Sequence, residues 1–284
     1  MPLRAHPTAR QARLGAELRK LRERAGLPAK DAAAFLGVDQ GKISHIEAGR
    51  LGIGEDRLRR LARYYECVDS ALIDALCAIV RERRGEHWWE AYRRSLSSAF
   101  LDLAELEHHA VALRSLQPFC VPGLLQTEEY ARTLFRGVVP PLPEGEVETR
   151  VEFRMRRKAV LQRTNPVGLR LIVHEAALRM RFGGRKVVAH QLTELLEHSE
   201  EGHIDLRVLP FANENFTEAT HPVLYVQAGV PKLDTARLEG PYGNVLFHAD
   251  EELAGYRMFL EQAAGATLDP RASRDLIHLI LRDL

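Results

Sequence analysis

The chain has 284 residues, 45% hydrophobic and 28% charged, with a formal net charge of +1, enough for two domains and a sizeable core. No apolar run approaches the roughly 20 residues that span a bilayer, and the first residues carry charge without an apolar segment, which argues against a secretory signal. Three widely spaced cysteines, Cys67, Cys77 and Cys120, read as free thiols in a reducing compartment, so a cytoplasmic protein is expected.

Five helices fit the first 85 residues. The first, about 11–25, puts Leu14, Leu18, Leu21 and Ala25 on one face and ends at Gly26. The second starts at Pro28 and ends near Leu36, with Ala32-Ala33-Ala34 allowing close approach of a crossing helix. After the turn Leu36-Gly37-Val38, Asp39 caps a third helix that buries Ile43 and Ile46. Glu55-Asp56 open a fourth, with Leu58, Leu61, Ala62 and Tyr65 inward; a fifth follows Asp69-Ser70 and buries Leu72, Ile73, Leu76, Ile79 and Val80.

Two short helices joined by a tight glycine turn form a device for placing the second in the DNA major groove. On that second helix, Gln40 suits adenine N6 and N7, and Lys42 and His45 suit guanine O6 or N7. Arg50 and Lys30 are placed to reach phosphates. Charge supports this reading: residues 1–65 hold 14 Lys/Arg against 7 Asp/Glu, a balance of +7, leaving −6 on the remainder.

Further along, Gly85 marks a break, and Trp88-Trp89 are expected to pack between domains. Residues 85–145 read as a helical connector. It contains the turn Val121-Pro122-Gly123-Leu124-Leu125-Gln126-Thr127, where Thr127 caps a helix through Phe135. A helix over about 146–163 aligns Arg150, Arg154 and Arg157 on one face. That face is either solvated or suited to an acidic partner surface or anion. Strands are expected near 169–174, 204–209, 223–227, 235–238 and 245–248, with helices near 175–181, 186–200, 250–264 and 270–284. The last helix, with Ile277, Ile280, Leu281 and Leu284 on one face, is expected to cover the sheet.

Catalytic chemistry is not indicated. Leu178 stands where a zinc-protease motif beginning at His174-Glu175 needs its second histidine. Gly183-Gly184-Arg185-Lys186 has the wrong spacing for a phosphate loop, and His108-His109 point to different sides of a helix. None of the 12 histidines forms a cluster with metal-ligand spacing. No catalytic residue, metal site or cofactor is expected.

The strings Leu18-Arg19-Lys20-Leu21-Arg22, Ala25-Gly26-Leu27, Leu36-Gly37-Val38 and Ile43 to Arg50 resemble the xenobiotic-response-element type of helix-turn-helix, over roughly Leu14–Val80. The resemblance implies that Gln40, Gly41, Lys42 and His45 face the groove, that Ile43 and Ile46 are core, and that Arg22 and Glu47 tie the recognition helix to the first. Ala29 replaces a phosphate-binding glutamine common in that family, and Gly41 offers no side chain to a base.

From about Gly85 the chain resembles the domain of unknown function that follows this helix-turn-helix in many actinobacterial regulators. The turn from Val121 to Thr127 carries that resemblance, with Glu129-Tyr130-Ala131, Trp88-Trp89, Arg154 to Arg157, His174 to Leu178, Gln191-Leu192 and Val208 to Phe211. It implies a regulator of development or secondary metabolism, often encoded beside a small partner protein.

The expected architecture is α+β: an all-α helix-turn-helix domain over 1–84, the connector over 85–145, and a mixed α/β domain with a small sheet flanked by helices over 146–284. The expected function is a homodimeric, sequence-specific regulator bound to double-stranded DNA and modulated through its C-terminal domain by a small partner protein or ligand. Two alternatives stand beside it: an antitoxin-like interaction module with secondary DNA binding, and an effector-binding domain with unrecognised enzyme chemistry.

Overall fold

The computed structural model describes residues 7–82, 87–240 and 243–284. Five helices form the N-terminal part: α1 (Ala9–Arg24), α2 (Ala29–Leu36), α3 (Gln40–Glu47), α4 (Glu55–Tyr64) and α5 (Ser70–Arg81). Local chemistry sets their ends. Thr8 and Gln11 form a reciprocal capping box on α1. Asp39 accepts the Lys42 amide at 2.8 Å and starts α3, and Gly37, left-handed at φ 65°, closes α2. Leu18, Leu21, Ala32, Ile43, Ile46, Leu58, Leu61 and Leu72 meet in one core.

Close backbone approach fixes α3 on α1. A Cβ at Gly15 would lie 2.5 Å from the Glu47 carbonyl and 2.7 Å from the Gly49 amide nitrogen. A Cβ at Gly49, itself at φ 71°, would lie 2.7 Å from the Gln11 carbonyl. Beside this contact the buried Arg22 guanidinium donates to Glu47 through Nε at 2.6 Å and Nη2 at 2.8 Å, and its Nη1 donates to the Leu27 carbonyl at 2.8 Å. The fork ties the end of α3 to α1 and to the turn after α1.

The C-terminal part is built on a six-stranded sheet of order β3-β2-β1-β4-β5-β6. Its strands are β1 (Ala112–Gln117), β2 (Gly168–His174), β3 (Ile204–Leu209), β4 (Val223–Gln227), β5 (Thr235–Gly240) and β6 (Gly243–Phe247). β1, β2 and β3 pair in parallel, and β4, β5 and β6 extend the sheet antiparallel. Before β1 comes α6 (Ser98–His109). The parallel crossovers carry α7 (Glu128–Arg136), α8 (Glu144–Arg157), α9 (Ala159–Gln162), α10 (Glu175–Arg179) and α11 (Arg185–His198). α12 (Asp250–Gly265) and α13 (Pro270–Arg282) complete the chain. Leu113, Leu169, Leu171 and Val173 face a core with α11 and α13, including Ile277 and Ile280. Leu116, Ile172 and Tyr225 face the other way, toward Leu253 and Leu260 of α12. The fold is α+β, and α13 covers the sheet.

Three expectations need correction. Residues 85–145 are not a helical connector throughout, because 112–117 form β1, a central strand. Leu113 and Leu116 satisfy a helical spacing equally well, and only burial on both faces selects the strand. Trp88 and Trp89 do not pack between domains; they pack with Tyr92, Leu101, Ala104 and Phe153 of the C-terminal part. The helix expected over 146–163 is two helices, with Lys158 between α8 and α9. Gly85 and the 84–85 boundary lie outside the described residues.

α1 also docks on the C-terminal part. Thr8 Oγ1 donates to Glu105 at 3.0 Å and the Ala9 amide to Asp102 at 3.1 Å, so α6 receives the start of α1. Further contacts join α1 to the segment between β4 and β5 and to the start of α12. Arg13 donates to the carbonyls of His248 and Lys232, and Lys20 and Arg24 pair with Asp250 at 3.2 and 2.7 Å.

Two predictions test these contacts. Glu47→Ala strands a buried guanidinium and is expected to cost about 3 kcal/mol in urea unfolding, whereas Gly15→Ala is expected to cost about 1–3 kcal/mol through the backbone clash. Unchanged midpoints would refute both contacts. Burial raises the Glu105 carboxyl to about 7. A raised pKa stabilises the fold below the unfolded value and loses that contribution as pH rises through about 7. Stability should therefore decline between about pH 4.5 and 7 by at most about 1.4 kcal/mol per pH unit from this group, and Glu105→Gln should remove that part of the slope.

Candidate functional site

The outer face of α3 stands over Ile43 and Ile46, which are 1% and 8% exposed. Gln40, Gly41 and Lys42 are exposed in its first turn. His45, one turn later, is half-buried, and its Nδ1 is buried without a hydrogen-bond partner. Lys30 is exposed in the first turn of α2, and Arg50 is exposed just past α3, its amide bonded to the His45 carbonyl at 2.9 Å. The sequence-predicted contacts therefore fall in two adjoining helix starts, in the last turn of α3 at His45, and in the turn after it. Lys42 Nζ lies 3.4 Å from the exposed Asp39 carboxylate, a solvent-screened pair that a phosphate can replace. Ser44, which sequence reasoning passed over, is also exposed on α3, and its hydroxyl donates to the Gln40 carbonyl at 3.2 Å. Exposure at the i+4 position from Gln40 is the signal that would have found it.

The basic balance of residues 1–65 is not all available to DNA. Arg10 pairs with Glu82 at 2.5 Å, Arg13 with Glu17 at 3.1 Å, and Arg22 with Glu47. Lys20 and Arg24 are turned toward Asp250. These five cations hold the domain together. The exposed cations of this part include Lys30, Lys42 and Arg50, and Arg57, Arg60 and Arg63 of α4.

Arg150, Arg154 and Arg157 share one side of α8 but do not form an open face for an acidic partner surface. Arg150 pairs with Glu146 at 2.6 Å and lies over the Phe100 ring. Arg154 stacks over Phe135 with 4.9 Å to the ring centroid and donates to Gln126 Oε1. Arg157 is buried and donates twice to Glu107, at 2.7 and 2.6 Å. Arg154 and Arg157 face a cavity of about 420 Å³ roofed by the turn from Cys120 to Gln126. Gln126 donates to the Val121 carbonyl at 2.7 Å, and fully buried Gln191 bonds both the Thr127 amide and the Leu125 carbonyl at 2.8 Å. Two buried amides thus fix the turn.

Glu82, His87 and His109 bring ligand atoms within 4.8 Å of one another, a grouping hidden in the sequence by its spacing. Arg10 already donates to both Glu82 oxygens, at 3.4 and 2.5 Å. Burial and that guanidinium push His109 down to about 3. A divalent cation would have to compete with the arginine, so the residues do not fit a metal centre.

Residues 13–76 match the model of a helix-turn-helix domain, and residues 100–278 match that of a domain of unknown function, DUF5753. No curated protein and no solved structure matches the chain. No helix of the described residues is long and apolar enough to cross a membrane. The helix-turn-helix domain marks a DNA-binding regulator, and since the second match spans more than half of the 284 residues, the chain belongs to the DUF5753 family.

Proposed function

We propose that the protein is a sequence-specific transcriptional regulator that binds double-stranded DNA as a homodimer. The observation that carries this reading is the exposed first turn of α3, with Gln40, Gly41 and Lys42, held on α1 by Gly15, Gly49 and the Arg22–Glu47 fork. Gln40 reads adenine through its amide, Lys42 and His45 donate to guanine, and Lys30 and Arg50 anchor the phosphates. An eight-residue helix reads too few base pairs for genomic specificity. Two copies about 34 Å apart on a near-palindromic site supply the rest.

The larger C-terminal domain receives the signal, either from a small partner protein or from a ligand, and the regulated genes belong to development or secondary metabolism. What supports a signal-receiving role is the direct docking of α1 on α6 and on the start of α12. A change at these contacts reaches the DNA-binding domain through a rigid helix.

Genome-wide immunoprecipitation followed by anisotropy titration on the recovered sites tests the reading; failure to enrich any discrete site would reject it. On such a site, Lys42→Ala is expected to reduce the slope of log K against log salt by about 0.9 if Lys42 neutralises one phosphate. If it reads guanine, specificity relaxes at one position by about 1–3 kcal/mol. A variant with the wild-type slope and wild-type sequence preference excludes both roles.

A further inference from the structure

The cavity under the Cys120–Gln126 turn has a composition that identifies its occupant. Its floor is a row across the sheet, because Leu171 pairs with Ser115, Ser115 with Leu224, and Leu224 with Arg237. Leu113, Leu124 and Leu134 add apolar wall, and its volume, about 420 Å³, falls in the range of small-molecule sites. Three guanidinium groups also line it, those of Arg154, Arg157 and Arg237.

The three arginines are not equally satisfied. Arg157 is charge-paired with Glu107 through two bonds. Arg154 has one bond, to a neutral amide, and its Nε is buried without a partner. The absence of a side chain at Gly123 makes room for it, since a Cβ there would lie 3.2 Å from Arg154 Nη1 and 3.4 Å from Arg157 Nη2. Arg237, 8% exposed, has a 3.3 Å contact to Glu239, whose own side chain is 62% exposed at the rim. Burial and the neighbouring Arg157 push the Arg154 guanidinium down to about 9, so its charge is under-compensated. Three cations face two carboxylates, Glu107 and Glu239. The cavity therefore carries one positive charge in excess, beside an apolar floor.

We propose that this cavity binds an amphipathic monocarboxylate, its head group held by Arg154 and Arg237 and its hydrocarbon part laid on Leu113, Leu171 and Leu224. One negative charge balances the cluster, whereas a phosphate monoester brings nearly two. Ser115 lies on the same floor; its Oγ accepts from Gln117 at 2.9 Å and its own proton has no acceptor among the described residues. It supplies a further donor to the head group. The wall that the ligand touches includes Leu103 and Glu107 of α6, the helix that holds the start of α1 through Asp102 and Glu105. The inference deepens the ligand-receiving half of the reading above, and its test contains no DNA, so its failure leaves the DNA-binding half untouched.

The test is calorimetric titration of the full chain with dodecanoate. Saturable binding at one site is expected. Dodecanol, dodecyltrimethylammonium and dodecyl phosphate are each expected to bind at least about tenfold more weakly, the loss of a charge-assisted bond or of charge balance. Arg154→Gln should weaken dodecanoate by a similar factor. Leu224→Trp, which fills the apolar floor and leaves every arginine in place, should abolish binding with circular dichroism unchanged. The proposal is overturned if dodecanoate does not bind at millimolar concentration, if the four head groups bind alike, or if folded Leu224→Trp binds as the wild type does.

Discussion

The position of α1 governs the rest of the molecule. One side of this helix accepts the end of α3 at a separation that only glycine permits, at Gly15 and Gly49. Its flank supplies Arg22, which the Glu47 carboxylate fixes in place. A further side meets α6 and the start of α12 through the cap Thr8 and through Ala9, Arg13, Lys20 and Arg24. A single 16-residue helix thus sets both the pose of the recognition helix and its relation to the sheet. Buried ion pairs add little net stability over an apolar replacement but make alternative arrangements costly.

The C-terminal domain applies the same economy around a space instead of a contact. Its turn from Cys120 to Gln126 makes no regular element of its own beyond three helical residues, yet Gln126 and Gln191 tie its carbonyls and amides on both sides. Held in this way, the turn spans the sheet without collapsing on it. Polar groups that a packed core would exclude, Arg154 and Arg237 among them, survive beneath it because the space is neither dry core nor bulk water.

Most of the fold was legible from periodicity and punctuation. The five N-terminal helices, the caps at Asp39, Asp69 and Thr127, and the strands from 168 onward follow from apolar spacing with Gly, Pro and Asp at the boundaries. β1 was not legible, because a six-residue segment buried on both faces has no alternation to betray it. The Arg22–Glu47 pair was reached through the family resemblance, but Gly15 was not, since a glycine inside a helix declares its purpose only when the crossing backbone is placed. The arginines of α8 were visible as a row. That the row turns inward depended on Glu107 and Gln126, which lie 50 and 28 residues from their partners and belong to no shared pattern.

The docking of α1 has a consequence for how the chain can be divided. Arg13, Lys20 and Arg24 are answered by the His248 and Lys232 carbonyls and by Asp250, all supplied from more than 200 residues away. A fragment severed after α5 would leave Arg24 without its carboxylate and Arg13 and Lys20 sharing Glu17 alone. Its attraction for any polyanion would rise. The tail of the chain therefore withholds positive charge that the head alone would expose.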